Sequence, residues 1–481
     1  MSATSPIIFE APINKAPTIG ADGFPGSPGD GAADAEPGAR LLDSLAEIVT
    51  KKNRIATELY HTFNVKRGLR NADGSGVLVG LTNISEVHGY VIDDDEKKPV
   101  EGRLWYRGIG IEDLVAGFQS DHRFGYEETV YLLIFGQLPD RRQVGRFTDY
   151  LAAKRDLPDE FLENIILKAP SPDIMNKLAR AVLASYSYDK NPDDTGVRNV
   201  LRQCLEMIAR FPAMVAYAYQ AKRHYYDDDS LFIHRPQPQL STAENILYLT
   251  RSDSAYTPLE AEILDLCLVL HAEHGGGNNS AFAVHVVSSS DTDSYSAVAA
   301  AIGSLKGPRH GGANIKVLRM MQDIREHVAD IGDEKQLRDY CLRILQKKAF
   351  DRAGLLYGMG HAVYTISDPR TTILKEKAAD LAREKGRMDE FRLYNRIEKI
   401  AAGLLKEKTG KPAPTNADFF SGFVYEMLAI PSELYTPLFA VSRLAGWTAH
   451  RIEELVSGKR IMRPAYKSLS EKRDYLPLSD R

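Results

Sequence analysis

From about residue 41 onward the chain keeps returning to one local pattern: a capping signal, apolar residues three and four apart, then a glycine or proline stop. Thr257-Pro258-Leu259-Glu260 is the clearest case, a capping box with proline in the first helical position. Leu259, Ile263, Leu266, Cys267 and Leu270 follow as an apolar stripe, which ends at Gly275-Gly276-Gly277. Ser241-Thr242-Ala243-Glu244 opens the preceding helix in the same way. Further stripes run through Val317, Met321, Ile324 and Val328, and through Leu393, Ile397, Ile400 and Leu404. Strand signals are confined to Gly80–Gly108, where β-branched and aromatic residues alternate with turn residues and predict a small sheet. No regular alternation of strands and helices exists, which argues against a doubly wound sheet or an α/β barrel. The expected fold is mainly α, with loops carrying the polar sites.

The 481 residues suffice for about three domain equivalents. A net charge of -4 gives no reason to expect nucleic acid or an anionic membrane as a partner, and no apolar run approaches a membrane span. Cys204, Cys267 and Cys341 are widely spaced, which argues against a disulfide framework or a cysteine zinc site and fits a reducing compartment. Residues 1–40 are expected to form a disordered tail. Residues 16–40 are rich in Gly, Pro, Ala and Asp, and Lys15 and Arg40 are the only bases in the whole tail. The tail has neither the arginine content of a transit peptide nor the apolar stretch of a secretory signal, so the expected location is cytoplasmic.

Three short stretches carry the chemistry. In Gly307-Pro308-Arg309-His310-Gly311-Gly312-Ala313-Asn314 a histidine stands just before a predicted helix start. The positive end of a helix dipole keeps such an imidazole neutral and able to donate to a carbonyl oxygen. Gly358-Met359-Gly360-His361-Ala362-Val363-Tyr364 places a second histidine between glycines, and Asp368-Pro369-Arg370 follows with a carboxylate-binding arginine. Asn416-Ala417-Asp418-Phe419-Phe420-Ser421-Gly422 sets a carboxylate beside aromatics that would raise its basicity. Two imidazoles and a carboxylate are a set for moving protons to and from a carbonyl compound. Taken singly, each also fits a structural role: a loop histidine bonded to its own turn, an Asp-Pro turn with an exposed arginine, or an aspartate capping a helix.

His271-Ala272-Glu273-His274 raises a metal reading, because histidines three apart share a helical face; the longer His-Glu-x-x-His spacing of metal hydrolases is absent. His274 falls near the end of the helix, where the macrodipole favours a positive imidazole. Arg443, in Val441-Ser442-Arg443-Leu444, and Arg463, in Arg460-Ile461-Met462-Arg463-Pro464, each read alone as a single exposed base.

Together these stretches resemble the citrate synthase family over about residues 43–467, beginning near Tyr106-Arg107-Gly108-Ile109-Gly110-Ile111-Glu112. The order of the motifs, the 36 residues from His274 to His310 and the nine from His361 to Arg370 all fit. The resemblance implies a large helical domain (41–312 and 428–481), a smaller mobile helical domain (313–427), and a homodimer or an assembly of dimers. It implies condensation of an acyl-CoA with oxaloacetate, acetyl-CoA being a co-substrate and no cofactor permanently bound. Asp418 would take the proton from the acyl carbon, His310 would hold the thioester oxygen, and His361 would act on the ketone. His274, Arg370 and Arg443 would hold the substrate carboxylates, joined by Arg463 from the other subunit. A close alternative uses propionyl-CoA, as 2-methylcitrate synthases do. Rivals of other classes are a metal-dependent hydrolase built on His271, Glu273 and His274, and a non-catalytic CoA-binding relative. Many relatives carry a base four positions after the second histidine. Thr365 stands there, leaving Lys375, Lys377, Arg383 and Lys385 as substitutes for binding the CoA phosphates.

Overall fold

A computed structural model describes residues 37–93, 96–458 and 460–481. The expected tail falls outside the described residues as far as residue 36; residues 37–40 begin a helix. The chain separates into two units, Met1–Leu78 and Val79–Arg481. In the first, helices α1 (Pro37–Lys52) and α2 (Glu58–Thr62) leave Leu41, Leu42, Leu45, Ile48 and Val49 exposed. The small domain expected at 313–427 lies inside the second unit.

The second unit opens with the expected sheet. Strands β1 (Ser85–Asp93) and β2 (Glu96–Tyr106) pair antiparallel from Ser85↔Tyr106, with a register shift between His88 and Tyr90, and β3 (Ile109–Gly110) adds a short third strand beside β2. Helices α3 (Ile111–Ser120), α4 (Tyr126–Phe135), α5 (Arg141–Ala152), α6 (Ile174–Ser185), α7 (Val197–Tyr226) and α8 (Thr242–Thr250) follow. Next come α9 (Pro258–His271), α10 (Asn279–Ser288), α11 (Ser294–Lys306), α12 (Ala313–His327) and α13 (Glu334–Leu345). The last four are α14 (Pro369–Glu384), α15 (Met388–Thr409), α16 (Asp418–Met427) and α17 (Tyr435–Ser457).

Both predicted capping boxes form: Ser241 and Glu244 exchange bonds at the start of α8, and Thr257 and Glu260 do so at the start of α9. Such caps satisfy backbone N–H groups that a helix start leaves free. The stripe predicted on α9 proves too narrow, because α9 is buried on nearly every side from Glu260 to His271. It packs against α17, which is buried all round from Tyr435 to Arg451 and also touches α4, α7, α10 and α11. A helix surrounded by others needs no polar face. These two central helices deliver His271 and Arg443 to the interior and launch the turn that carries His274.

The hairpin supports the site from another side. A Cβ on Gly102 would lie 2.0 Å from the carbonyl oxygen of Ser367, and one on Gly89 would lie 2.6 Å from the Cα of Tyr364. Both glycines therefore let the 363–367 loop lie directly on the strands. Gly102 N–H donates to Ser367 Oγ at 3.1 Å, and the Thr365 hydroxyl donates to the carbonyls of Gly89 and Val100.

Candidate active site

Three segments meet at the polar stretches. Loop 358–361 is stitched to the segment before α16: Gly360 N–H donates to Pro414 O at 2.7 Å, Asn416 N–H to Gly358 O at 2.9 Å, and Asn416 Nδ2 to Gly360 O at 2.9 Å. This brings the backbone next to His361 against the start of the helix that presents Asp418. His274 closes on the same place. Its ring centroid lies 5.0 Å from that of His361, and its Nε2 lies 3.2 Å from Tyr364 Oη.

The tautomer of His361 follows from its neighbours. Its Nδ1 accepts the N–H groups of Val363 (3.0 Å) and Tyr364 (3.1 Å), so Nε2 carries the ring proton. Burial, with the nearby Arg370 charge, pushes this imidazole down to about 4, so it is neutral at physiological pH. His310 is held by Ser280, whose Oγ is 3.1 Å from His310 Nε2 and also receives Trp447 Nε1–H at 3.0 Å. Burial, then Arg443, likewise lowers His310 to about 4.

Asp418 is not a helix cap. Ala417 occupies that position, and Asp418 is the first residue of α16. Burial raises its carboxyl to about 6, against the pull of Arg370 and Arg443. Arg370 is almost fully buried and forks onto Asp368, Nε to Oδ1 at 3.0 Å and Nη2 to Oδ2 at 2.7 Å. Burial opposes its charge, but Asp368 more than compensates. Arg443, 1% exposed, donates from Nε to the His271 carbonyl at 2.7 Å and lies over the Phe439 ring, and its Nη1 has no partner among the described residues. A buried N–H without an acceptor is costly, so Nη1 is available for an anionic ligand. Burial lowers this guanidinium to about 10.

His274 corrects an expectation. Its position near the end of α9 suggested a positive imidazole, but burial comes first, and Arg370 and His361 add to it, holding the ring well below its usual range. His274 is a neutral hydrogen-bonding group. Arg463 stands apart on the exposed segment 460–481, and none of the hydrogen bonds or ion pairs among the described residues joins it to the other six. Tyr364, Asp368 and Ser280 had no role assigned from sequence, although the first two lie inside quoted motifs.

The metal set suggested by His271, Glu273 and His274 is dispersed. His271 packs at a tilt against Phe439, His274 faces Tyr364, and Glu273 bonds Ser85 and His450. Of the substitute bases for CoA phosphate, Lys375 pairs with Glu398, Lys385 with Glu260 and Arg383 with Asp380.

The family model described as citrate synthase, C-terminal domain, matches residues 71–465. A citrate synthase of Haloferax volcanii is 37% identical over 87% of this chain and 99% of its own length. The chain belongs to the citrate synthase family. A 2-methylcitrate synthase of Shewanella oneidensis is 32% identical over 79% of this chain and 92% of its own. Among solved structures, citrate synthase of Pyrobaculum aerophilum superposes with a TM-score of 0.69 at 31% identity, covering 84% of this chain and 94% of that one. The Thermoplasma acidophilum citrate synthase, solved as a ternary complex with carboxymethyl coenzyme A and oxaloacetate, gives 0.69 at 26% identity, covering 87% and 99%. The chain is thus an enzyme, an acyltransferase of the citrate synthase type, on the mainly α fold of that family. The hydrolase reading falls with that membership.

Proposed function

We propose that this chain condenses acetyl-CoA with oxaloacetate and hydrolyses the citryl-CoA formed, giving citrate and CoA. The observation that carries the reading is the meeting of His361, His274 and the start of the helix that bears Asp418, fixed by the bonds from Gly360 and Asn416 and by the ring contact. Burial raises the Asp418 carboxyl to about 6 and lowers the His310 and His361 imidazoles to about 4, beside two buried arginines, one with an N–H unpartnered among the described residues. A carboxylate alone is far too weak to deprotonate a carbon acid, so the charge that develops on oxygen needs a donor. Asp418 takes a proton from the acyl methyl carbon, and the electron pair moves onto the thioester oxygen. His310 holds that oxygen through Nδ1–H when the Ser280 hydroxyl turns toward Nε2. The enol carbon then attacks the ketone of oxaloacetate, and His361 Nε2–H gives its proton to the ketone oxygen. Arg370, Arg443 and neutral His274 hold the oxaloacetate carboxylates.

We further infer a homodimer or an assembly of dimers in which Arg463 of a second copy completes the site. Exposed Ile461, Tyr466, Tyr475 and Leu478 on its segment, like those on α1, support a covering partner. Residues 313–427 act as the mobile domain that closes over substrate and excludes water. Acyl-CoA is a co-substrate, with no cofactor permanently bound. The location is cytoplasmic, in keeping with three free, buried cysteines. No described helix is long and apolar enough to cross a membrane.

Propionyl-CoA is the second reading, favoured by the 2-methylcitrate synthase relatives. One methylene of pocket volume is worth about 1–3 kcal/mol. CoA release with each acyl-CoA plus oxaloacetate decides between them: a higher kcat/KM for acetyl-CoA is expected, and a strong propionyl-CoA preference overturns the choice.

A further inference from the structure

Behind His274 runs a line of four titratable side chains that the reaction does not use. Glu454 Oε2 lies 2.9 Å from His285 Nδ1, His285 Nε2 lies 3.0 Å from His450 Nδ1, and His450 Nε2 lies 3.1 Å from Glu273 Oε1. The line begins at a cavity lined by Ser288, Ser289, Asp291, Glu454 and Arg460, and ends at a pair with no exposure, His450 and Glu273. Hydrogen-bond counting fixes its protons. Each outer ring nitrogen faces a carboxylate and must be N–H. The two inner nitrogens face each other and need one proton between them. Three N–H groups on two imidazoles make one positive charge.

That charge bears on the turn that holds His274. Ser85 Oγ donates to Glu273 Oε1 at 3.0 Å and accepts the Gly275 N–H at 3.1 Å, so both neighbours of His274 are tied to one hydroxyl. The Tyr106 hydroxyl holds the backbone of Glu273. A Cβ on Gly446 would lie 2.0 Å from Glu273 Oε2, and one on Gly276 would lie 3.4 Å from the His450 ring. The carboxylate has no room to swing away.

We propose that His450 and His285 share a single proton that locks the Glu273 carboxylate and thereby positions His274 for oxaloacetate. Both are positioning residues, and the inference rests on the reading of His274 as a substrate-binding group. The charged groups facing the pair are Glu273 from the turn after α9, and Glu453 and Glu454 from α17 itself. The Arg443 charge also acts on Glu273, and Asp291 and Arg460 share the cavity with Glu454. Glu453 is anchored by the Asn83 N–H at 2.8 Å, with its Oε2 3.8 Å from His450 Nδ1. Burial opposes the charge on His450, but Glu273 outweighs it and raises the group to about 9, while Glu273 itself is held down at about 2.

Steady-state kinetics of the full-length enzyme tests the proposal. His450→Gln leaves Glu273 as an unneutralised buried carboxylate and raises KM for oxaloacetate roughly 10-fold, with kcat and KM for acetyl-CoA changing less than about threefold. Glu273→Gln/His450→Gln replaces the ion pair with neutral amides and returns KM to within about threefold of wild type. It is also expected to lack the rise in KM above about pH 9 that loss of the His450 charge predicts for the wild type. Equal KM values in the single and double variants, or an alkaline rise that persists in the double variant, overturn the proposal. So does a stoichiometric metal in the purified enzyme whose removal by chelator changes KM. Imidazole 15N spectra, assigned with His450→Gln, report the pair independently of His274: three protonated nitrogens across His450 and His285 at pH 7.5 are expected, and two neutral rings overturn the inference. An unchanged KM in His274→Ala would instead sink the reading of His274.

Discussion

The backbone N–H of Tyr364 points at Nδ1 of His361, 3.1 Å away, and that relationship decides which hydrogen the imidazole proposed as the ketone's proton donor offers. With Val363 N–H on the same nitrogen, the proton is confined to Nε2. A neutral donor gives its proton only as charge builds on the ketone oxygen. Replacing it in His361→Ala is expected to lower kcat by about 100-fold or more. Stopped-flow CoA release would show this, and a loss under tenfold would contradict the role.

With Asp418 as the proposed base, its carboxyl is expected to set the acid limb of the pH profile. Its raised value means that it is protonated, and no base, below about pH 6. The two imidazoles titrate near 4 and add no limb above pH 5. The prediction is a kcat/KM for acetyl-CoA that rises through about pH 6 and is then level to pH 8. A profile flat from pH 5 to 8 would count against Asp418.

The same shift has a stability consequence. A carboxyl whose folded value is raised stabilises the fold while protonated and loses that contribution as pH climbs from about 4 through about 6. At pH 7 the ionised group is a cost that Asp418→Asn removes. The variant should be inactive yet more stable by ~1–2 kcal/mol at pH 7, with the gain vanishing below pH 4. Urea unfolding at the two pH values checks the sign.

Ser280 is a hub, touching His310, Trp447 and Asn278 through one hydroxyl. Ser280→Ala releases His310 and leaves the Trp447 indole N–H unsatisfied. A fall in kcat of about 10–100-fold is expected, with KM for oxaloacetate within twofold and a stability loss of about 1–3 kcal/mol. Kinetics beside thermal unfolding separates the two effects.

Gly102→Ala puts a methyl group against the Ser367 carbonyl and the Tyr364 ring. The 363–367 loop must lift off the hairpin, taking Tyr364 and then His361 out of position. Weaker oxaloacetate binding and about 1–3 kcal/mol of lost stability are expected. Calorimetric titration with oxaloacetate measures the first.

Much of this was legible in sequence because it is local. Thr257 and Glu260, or Ser241 and Glu244, cap their helices from within four residues. The three polar stretches announce themselves by glycines and by a histidine or aspartate. What the sequence hides is set by contacts between distant segments. His274 reads as cationic from its place on α9, and burial beside Arg370 and His361 makes it neutral. The bond from His450 to Glu273 spans 177 residues, and that from His285 to His450 spans 165, with no local pattern to mark either. Thr365 reads as a missing phosphate contact, and in the fold it bonds the hairpin instead.

The central claim is that Asp418 is the base, and the most direct measurement is CoA release from acetyl-CoA plus oxaloacetate by Asp418→Ala, with oxaloacetate affinity measured on the same preparation. Condensation lost by at least about 1,000-fold with oxaloacetate binding retained is the predicted result. Turnover near wild type would contradict it.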